Sequence, residues 1–198
     1  AVTNETDATA LAALAAHAAY WPPSATPSSW FTFTTNSGAI TITGYDIGGG
    51  TDVVIPEYIN GWPVTAIGEF SFSPDYWGMA ITSVVAPRVT TIGRGAFFSC
   101  SALTSNSLPQ ATTIGVDAFN GCGSLTSIPL PHATTIGVGA FNSCHSLTSI
   151  PLPQATTIGD YAFYACTSLA SVSAPQATTI GFTAFGLCGS LTSISLPQ

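Results

Sequence analysis

The chain has 198 residues with nine acidic and two basic side chains, a net charge of −7 and only 6% charged residues. Phosphate neutralisation has nothing to work with, so nucleic acid is excluded as a partner. Lysine is absent and hydrophobic residues reach 46%, the balance of a packed chain hydrated by hydroxyls and amides.

In chain order, a head comes first. Asn4-Glu5-Thr6-Asp7 caps a predicted short helix in which Leu11, Leu14, Ala18 and Trp21 share a face and which Pro22-Pro23 stops. This helix is expected to lid the first coil, and Asn4-Glu5-Thr6 also matches a glycosylation acceptor. The Ala-rich stretch 8–19 lacks the basic flank of a signal peptide, and the start at Ala1 without Met reads as a mature or trimmed product, which favours export. No run reaches the roughly 18–20 apolar residues of a membrane span.

Residues 30–45 alternate as two strands around Asn36-Ser37-Gly38, and Asn60-Gly61 marks a tight turn between 53–59 and 64–67. All four Trp and seven of the nine acidic residues lie before residue 78, so the head differs chemically from the rest of the chain. Asp46, Asp52, Glu57, Glu69 and Asp75 lack the alternation of a calcium loop and read as solvated charges. The expected division is an N-terminal cap of helix and hairpin over 1–52 and a repeat array over 53–198.

From Thr90 onward one phrase recurs five times at 22 residues: Thr-Thr-Ile-Gly, then Ala-Phe, then Cys, then Leu. A fixed short period means stacked coils, each too small to bury its own apolar face. Val64-Thr65-Ala66-Ile67-Gly68 with Phe72 is a divergent first copy. Regular coils begin at Ile81, Leu103, Leu125, Leu147 and Leu169. A sixth begins at Leu191 and stops at Pro197-Gln198. That end is uncapped, so either the native protein continues or the end meets a partner.

Within a coil, Leu147-Thr148-Ser149-Ile150-Pro151-Leu152 alternates as a strand with Leu, Ile and Leu inward, and Pro151 must sit where no ladder donor is needed. Thr156-Thr157-Ile158 is a second β-branched segment, and Gly159 is expected to permit the turn after it. Phe97, Phe119, Phe141, Phe163 and Phe185 make a core column. Cys100, Cys122, Cys144, Cys166 and Cys188 fit neither paired disulfides nor zinc spacing. They read as a buried thiol ladder, with a disulfide between adjacent coils as the alternative. Asn106 takes the inward place held elsewhere by Ile and is expected to be satisfied by backbone groups.

Together, Leu-Thr-Ser-Ile, Leu-Pro, Thr-Thr-Ile-Gly, Ala-Phe and Cys resemble the BspA-like class of leucine-rich repeats over about residues 53 to 198. The resemblance implies an α+β repeat fold: a right-handed leucine-rich-repeat solenoid with short parallel strands. It also implies an exported or cell-surface location, a role in adhesion or protein binding, and no catalytic residues or cofactors. Each coil is one residue shorter than the family's usual form, between the strand Pro and the Ile-Gly turn.

Nothing in the residues contradicts a non-enzymatic reading. His17, His132 and His145 fall at different points of their units and form no metal set, and Ser lacks a partner base or nucleophile elbow. Outward strand places such as Thr126, Ser127, Pro129, Thr148, Ser149 and Pro151 hold no aromatic or Arg anchor. Variation collects at the turn around Ala-Phe. The candidate binding residues there are Arg94, Phe98, Asn120, Asn142, Asp160, Tyr164 and Phe182, with Val116, Val138 and Gly186 in the same columns. Trp62 and Trp77 are candidates on the aromatic cap.

The expected partner is a protein or cell-surface macromolecule. A second reading is head-to-tail self-association into filaments. A third makes the Thr pairs an array for glycan or ice, weakened because adjacent strand residues are expected to point to opposite faces.

Overall fold

The computed structural model describes residues 26–73 and 80–197. The predicted helix and glycosylation site of the head, and Trp77, lie outside them. Among the described residues the helical elements are two single 3-10 turns, Ser28–Trp30 and Ile47–Gly49.

The chain forms a β-solenoid of about seven turns. An antiparallel hairpin, β1 (Phe31–Asn36) and β2 (Ala39–Tyr45), leads into β3 (Asp52–Val54), β4 (Tyr58–Ile59) and β5 (Trp62–Ile67). Each later coil contributes up to two short strands: β6 (Ser83–Val85), β7 (Thr91–Ile92), β8 (Ser105–Ser107), β9 (Thr113–Ile114), β10 (Thr135–Ile136), β11 (Ser149–Pro151), β12 (Thr157–Ile158), β13 (Ser171–Ser173), β14 (Thr179–Ile180) and β15 (Ser193–Ser195). Both predicted tight turns are present, with Ser37 and Gly38, and Asn60 and Gly61, all at positive φ, as two-residue hairpin loops require.

One sheet runs the length of the molecule in the order β1-β2-β5-β7-β9-β10-β12-β14. The hairpin joins it because β2 pairs in parallel with β5. From β7 to β14 the register is set by the repeat, Thr91 to Thr113 to Thr135 to Thr157 to Thr179. A second ladder closes the turn edge, where Phe97, Phe119, Phe141 and Phe163 donate their N–H to the carbonyls of Ala118, Ala140, Ala162 and Ala184 in the next coil at 2.7–2.8 Å.

The core is the phenylalanine column. Successive rings from Phe72 to Phe185 stack at centroid distances of 5.0–5.4 Å, and the interplanar angle falls from 16° to 2–3° beyond Phe119. Phe31 and Tyr45 extend the column into the hairpin at 5.2 and 5.5 Å. Around it lie Ile92, Ile114, Ile136 and Ile158, all fully buried.

Three features differ from the sequence reading. First, the glycine after each Ile serves close approach rather than a left-handed turn. A Cβ on Gly137 would lie 2.6 Å from the Gly115 carbonyl carbon and one on Gly159 2.6 Å from Val138 N, while neither residue has positive φ. The left-handed places are instead filled mainly by side-chain-bearing residues, among them Asp117, Tyr161 and Leu187.

Second, the ladder through the Leu-x-x-Ile strands is interrupted. β3-β6-β8 and β11-β13-β15 are separate sheets, and residues 125–130 join neither. Leu152 donates to the Ser173 carbonyl and Ala86 to that of Ser107, so the outward residue at this place turns its peptide groups to the preceding coil. Pro129 and Pro151 occupy that place and have no N–H to offer, which leaves β11 an edge strand.

Third, Asn106 is not satisfied by backbone groups. Its Oδ1 and Nδ2 are both enclosed without a hydrogen-bond partner among the described residues. The neighbouring coil presents Ile128 and then Pro129, which has no N–H to donate.

Substitution at two of these places reads their energetics directly. Gly137→Ala must push two backbones apart and is expected to cost about 1–3 kcal/mol or more, read from urea unfolding midpoints. Asn106→Ile restores the residue type of Ile128 and Ile150 and removes an orphaned amide, so the same measurement should show a gain of about 1–3 kcal/mol.

Candidate interaction surface

The five thiols line the core beside the phenylalanines. Each donates to the carbonyl of a Phe one coil earlier: Cys100 to Phe72, Cys122 to Phe97, Cys144 to Phe119, Cys166 to Phe141 and Cys188 to Phe163, at 3.1–3.2 Å. All five are thiols rather than disulfides, four buried and Cys188 half-buried. Burial, and then the neighbouring Cys188, pushes the Cys166 thiol up to about 12. The ladder is therefore structural and chemically quiet.

The sheet face carries two hydroxyl columns. Thr112, Thr134, Thr156 and Thr178 each donate Oγ1 to the carbonyl of the Thr 22 residues earlier at 3.1–3.2 Å. Their neighbours Thr113, Thr135 and Thr157 are half-exposed, and no Thr of either column is buried. The expectation that adjacent Thr residues take opposite faces is thus corrected. The first Thr precedes the two-residue strand and lies on the corner, so both reach the surface. Along β11, β13 and β15 a shallow open depression is lined by Ser149, Pro151, Ser171, Ser173, Ser193 and Ser195. Neither face offers an aromatic or charged anchor.

The turn edge is different. Arg94, Val116, Val138, Asp160 and Phe182 form one exposed line, with Phe182 69% accessible. Phe98, Asn120, Asn142, Tyr164 and Gly186 form a half-buried line beside it. Asn120 Nδ2 donates to Asp117 Oδ1 at 3.0 Å, and Ser143 Oγ to Asn142 Oδ1 at 2.8 Å. Phe98 meets Phe70 edge to face at 6.4 Å. Asp160 Oδ1 accepts the Phe182 N–H at 2.7 Å, fixing the backbone that presents the ring.

Tyr161, which is not among the residues singled out from the sequence, stands between two candidates. Its ring meets Tyr164 at 5.7 Å and Phe182 at 5.6 Å, both at 77°. Asp160, Tyr164 and Phe182 are thus brought together around Tyr161, while Arg94 and Phe98 lie at the other end of the edge. Trp62 is 47% exposed and packs over Gly38 of the hairpin, away from both groups.

The acidic residues of the head are dispersed. Asp46 Oδ1 accepts from Gly48 N, Asp52 Oδ1 from the hydroxyls of Thr82 and Ser83, and Glu57 pairs with Arg88. Those two hydroxyls, Ser83 first, hold the Asp52 carboxyl below its usual value. No group of three or more potential metal ligands occurs among the described residues. His132 is exposed, and His145 Nδ1 lies 2.9 Å from the Ala165 carbonyl.

Residues 65–192 match the model for the BspA type leucine rich repeat region, in six copies. The chain belongs to this family. A leucine-rich repeat protein from Bacteroides ovatus is similar in structure, with a TM-score of 0.73 and 34% identity over 84% of this chain and 45% of that protein. The chain thus spans less than half of that relative's length. The leucine rich repeat protein of T. pallidum has a TM-score of 0.62 at 28% identity, covering 85% of this chain and 91% of that one. A leucine rich cell surface protein from Faecalibacterium prausnitzii also gives 0.62, at 26% identity over 89% of this chain and 55% of that one. No match among curated proteins is found. No helix among the described residues is long and apolar enough to cross a membrane.

Thiol chemistry provides a check on this BspA-type core. In the folded protein iodoacetamide should label Cys188 first, with the other four reacting only on unfolding. Because the folded Cys166 thiol is raised from 9.0 to about 12, folding keeps a proton that the unfolded chain releases. Its contribution is complete below pH 9 and is lost as pH rises from 9 towards 12. Thermal melts between pH 8 and pH 11 should show falling stability, less steep in Cys166→Ala.

Proposed function

We propose that this chain is a non-enzymatic, exported or cell-surface module that binds a protein partner through its turn edge. The observation that carries the reading is the asymmetry of the surface. The strand faces repeat Thr and Ser, whereas the turn edge changes side chain from coil to coil and gathers exposed Tyr161 and Phe182 around half-buried Tyr164. Interface hot spots are enriched in Trp, Tyr and Arg, and Ser and Thr are under-represented among them. The cell-surface name of the Faecalibacterium prausnitzii relative supports the location. The division into a cap over 1–52 and a solenoid over 53–198 belongs to the same reading, with the hairpin as the cap's described part.

The test is selection of binding peptides from a random display library on the whole chain, followed by variant mapping. Selected peptides should lose about tenfold or more in affinity on a Tyr161→Ala/Phe182→Ala double variant. They should be unaffected by Ser171→Ala on the strand face. Peptides that respond to the strand face instead, or a chain that selects none, overturn the reading.

A further inference from the structure

Three times in this sequence an acid is followed directly by tyrosine: Glu57-Tyr58, Asp75-Tyr76 and Asp160-Tyr161. The second lies outside the described residues. At the first, the chain shows what such a pair does. The Arg88 guanidinium carbon lies 4.9 Å from the centre of the Tyr58 ring, and its Nη1 lies 3.8 Å from Glu57 Oε2. One cation is shared between a carboxylate and a ring face.

At Asp160-Tyr161 the same pair is surrounded by more aromatic surface, with Tyr164 and Phe182 set perpendicular to Tyr161. An edge-to-face contact covers one face of one ring of each pair, and with Phe182 69% and Tyr161 39% exposed, aromatic face remains within reach of a cation from solvent. Asp160 uses Oδ1 to hold the Phe182 N–H, and its Oδ2 makes no hydrogen bond among the described residues. Among the described residues neither Arg side chain fills this place. The chain has two basic residues in all. Arg88 is engaged at Glu57 and Tyr58, and Arg94 stands three coils away in the Asp160 column, roughly 14 Å by the spacing of parallel strands.

We propose that Asp160, Tyr161, Tyr164 and Phe182 form a receptor for a cationic side chain, arginine in preference to lysine, carried by a protein partner. A planar guanidinium can stack on an aromatic face while its N–H groups reach a carboxylate, which a compact ammonium does less well. The net charge of −7 adds attraction for a basic partner at long range. The inference rests on the turn edge being the binding surface and names the chemistry of what binds there.

The experiment is an amide NMR titration of the whole chain with N-acetyl-arginine amide. N-acetyl-lysine amide, N-acetyl-leucine amide and cellotetraose serve as comparison probes. The arginine probe should shift the amides of residues 160–164 and 182 with a millimolar dissociation constant that rises with added salt. The lysine probe should bind more weakly, and the leucine probe and the sugar should leave those amides in place. Asp160→Asn and Tyr161→Leu should each weaken the arginine probe about threefold to thirtyfold, and Asp160→Lys should abolish its binding by seating a cation from the chain itself. Melting curves confirm that each variant is folded.

Equal shifts from the leucine probe, preferential shifts from cellotetraose, or an arginine response confined to Glu57 and Tyr58 would overturn the inference. If the library instead yields turn-edge peptides without basic residues, the binding surface stands and the cation receptor falls.

Discussion

The close approach of consecutive backbones at the Ile-Gly corner is the constraint on which the rest of the solenoid depends. Gly115, Gly137 and Gly159 pass so near the preceding coil that a single Cβ would collide with main-chain atoms. That contact fixes the coil spacing, and the spacing places phenylalanine rings 5.0–5.4 Å apart in face-to-face stacking. It also puts each thiol within reach of a carbonyl one coil back. The first coil, from Phe72 to Phe97, is three residues longer than the others and keeps the same ring stacking, thiol bond and strand pairing, so extra residues are accommodated away from these contacts. What the stack requires is that Ile, Gly, Phe and Cys return to the same places in each coil, which the regular coils achieve with a 22-residue step.

The same spacing decides where the chain is free to vary. Outward threonines donate to carbonyls one coil back, and that geometry is met by a short hydroxyl and lost with a longer side chain. At the turn edge the coil-to-coil bonds are made by the main chain, Tyr161 N to Phe182 O and Phe163 N to Ala184 O among them. Side chains there contribute little to the ladder, Asp160 Oδ1 accepting the Phe182 N–H being the exception. Arg94, Val116, Val138 and Phe182 can differ without breaking a coil-to-coil bond, which is the condition for a recognition surface on a repeat scaffold.

Much of the architecture is legible in the sequence because it is periodic. The phenylalanine column and the buried thiols follow from residue type at a fixed step, and both tight turns from their local Asn, Ser and Gly residues. The features that escape a sequence reading depend on phase within the turn. Tyr161 falls where other coils have Gly95, Asp117, Gly139 and Thr183, a set with no common chemistry, so its column gives no signal until the fold places it beside Tyr164 and Phe182. A glycine after a short strand reads as conformational freedom, whereas these glycines are needed because they have no side chain. Phe31 and Tyr45 complete the aromatic column from outside the repeat, where no period could mark them.

The stretch 125–130 shows how much local loss the stack absorbs. Pro129 and Pro151 remove ladder donors on both sides of one coil, and Asn106 faces the gap with an unpaired amide. Leu125, Ile128 and Leu130 are nevertheless buried there, and on the opposite face β9, β10 and β12 remain in register. Each coil is tied to the next by the sheet, the turn-edge ladder and the aromatic column as well as by the interrupted strands. A solenoid held by several parallel ties can lose one over a single coil, because the remaining ties already determine where the backbone lies. That redundancy is what permits an unsatisfied amide to persist inside an otherwise apolar column.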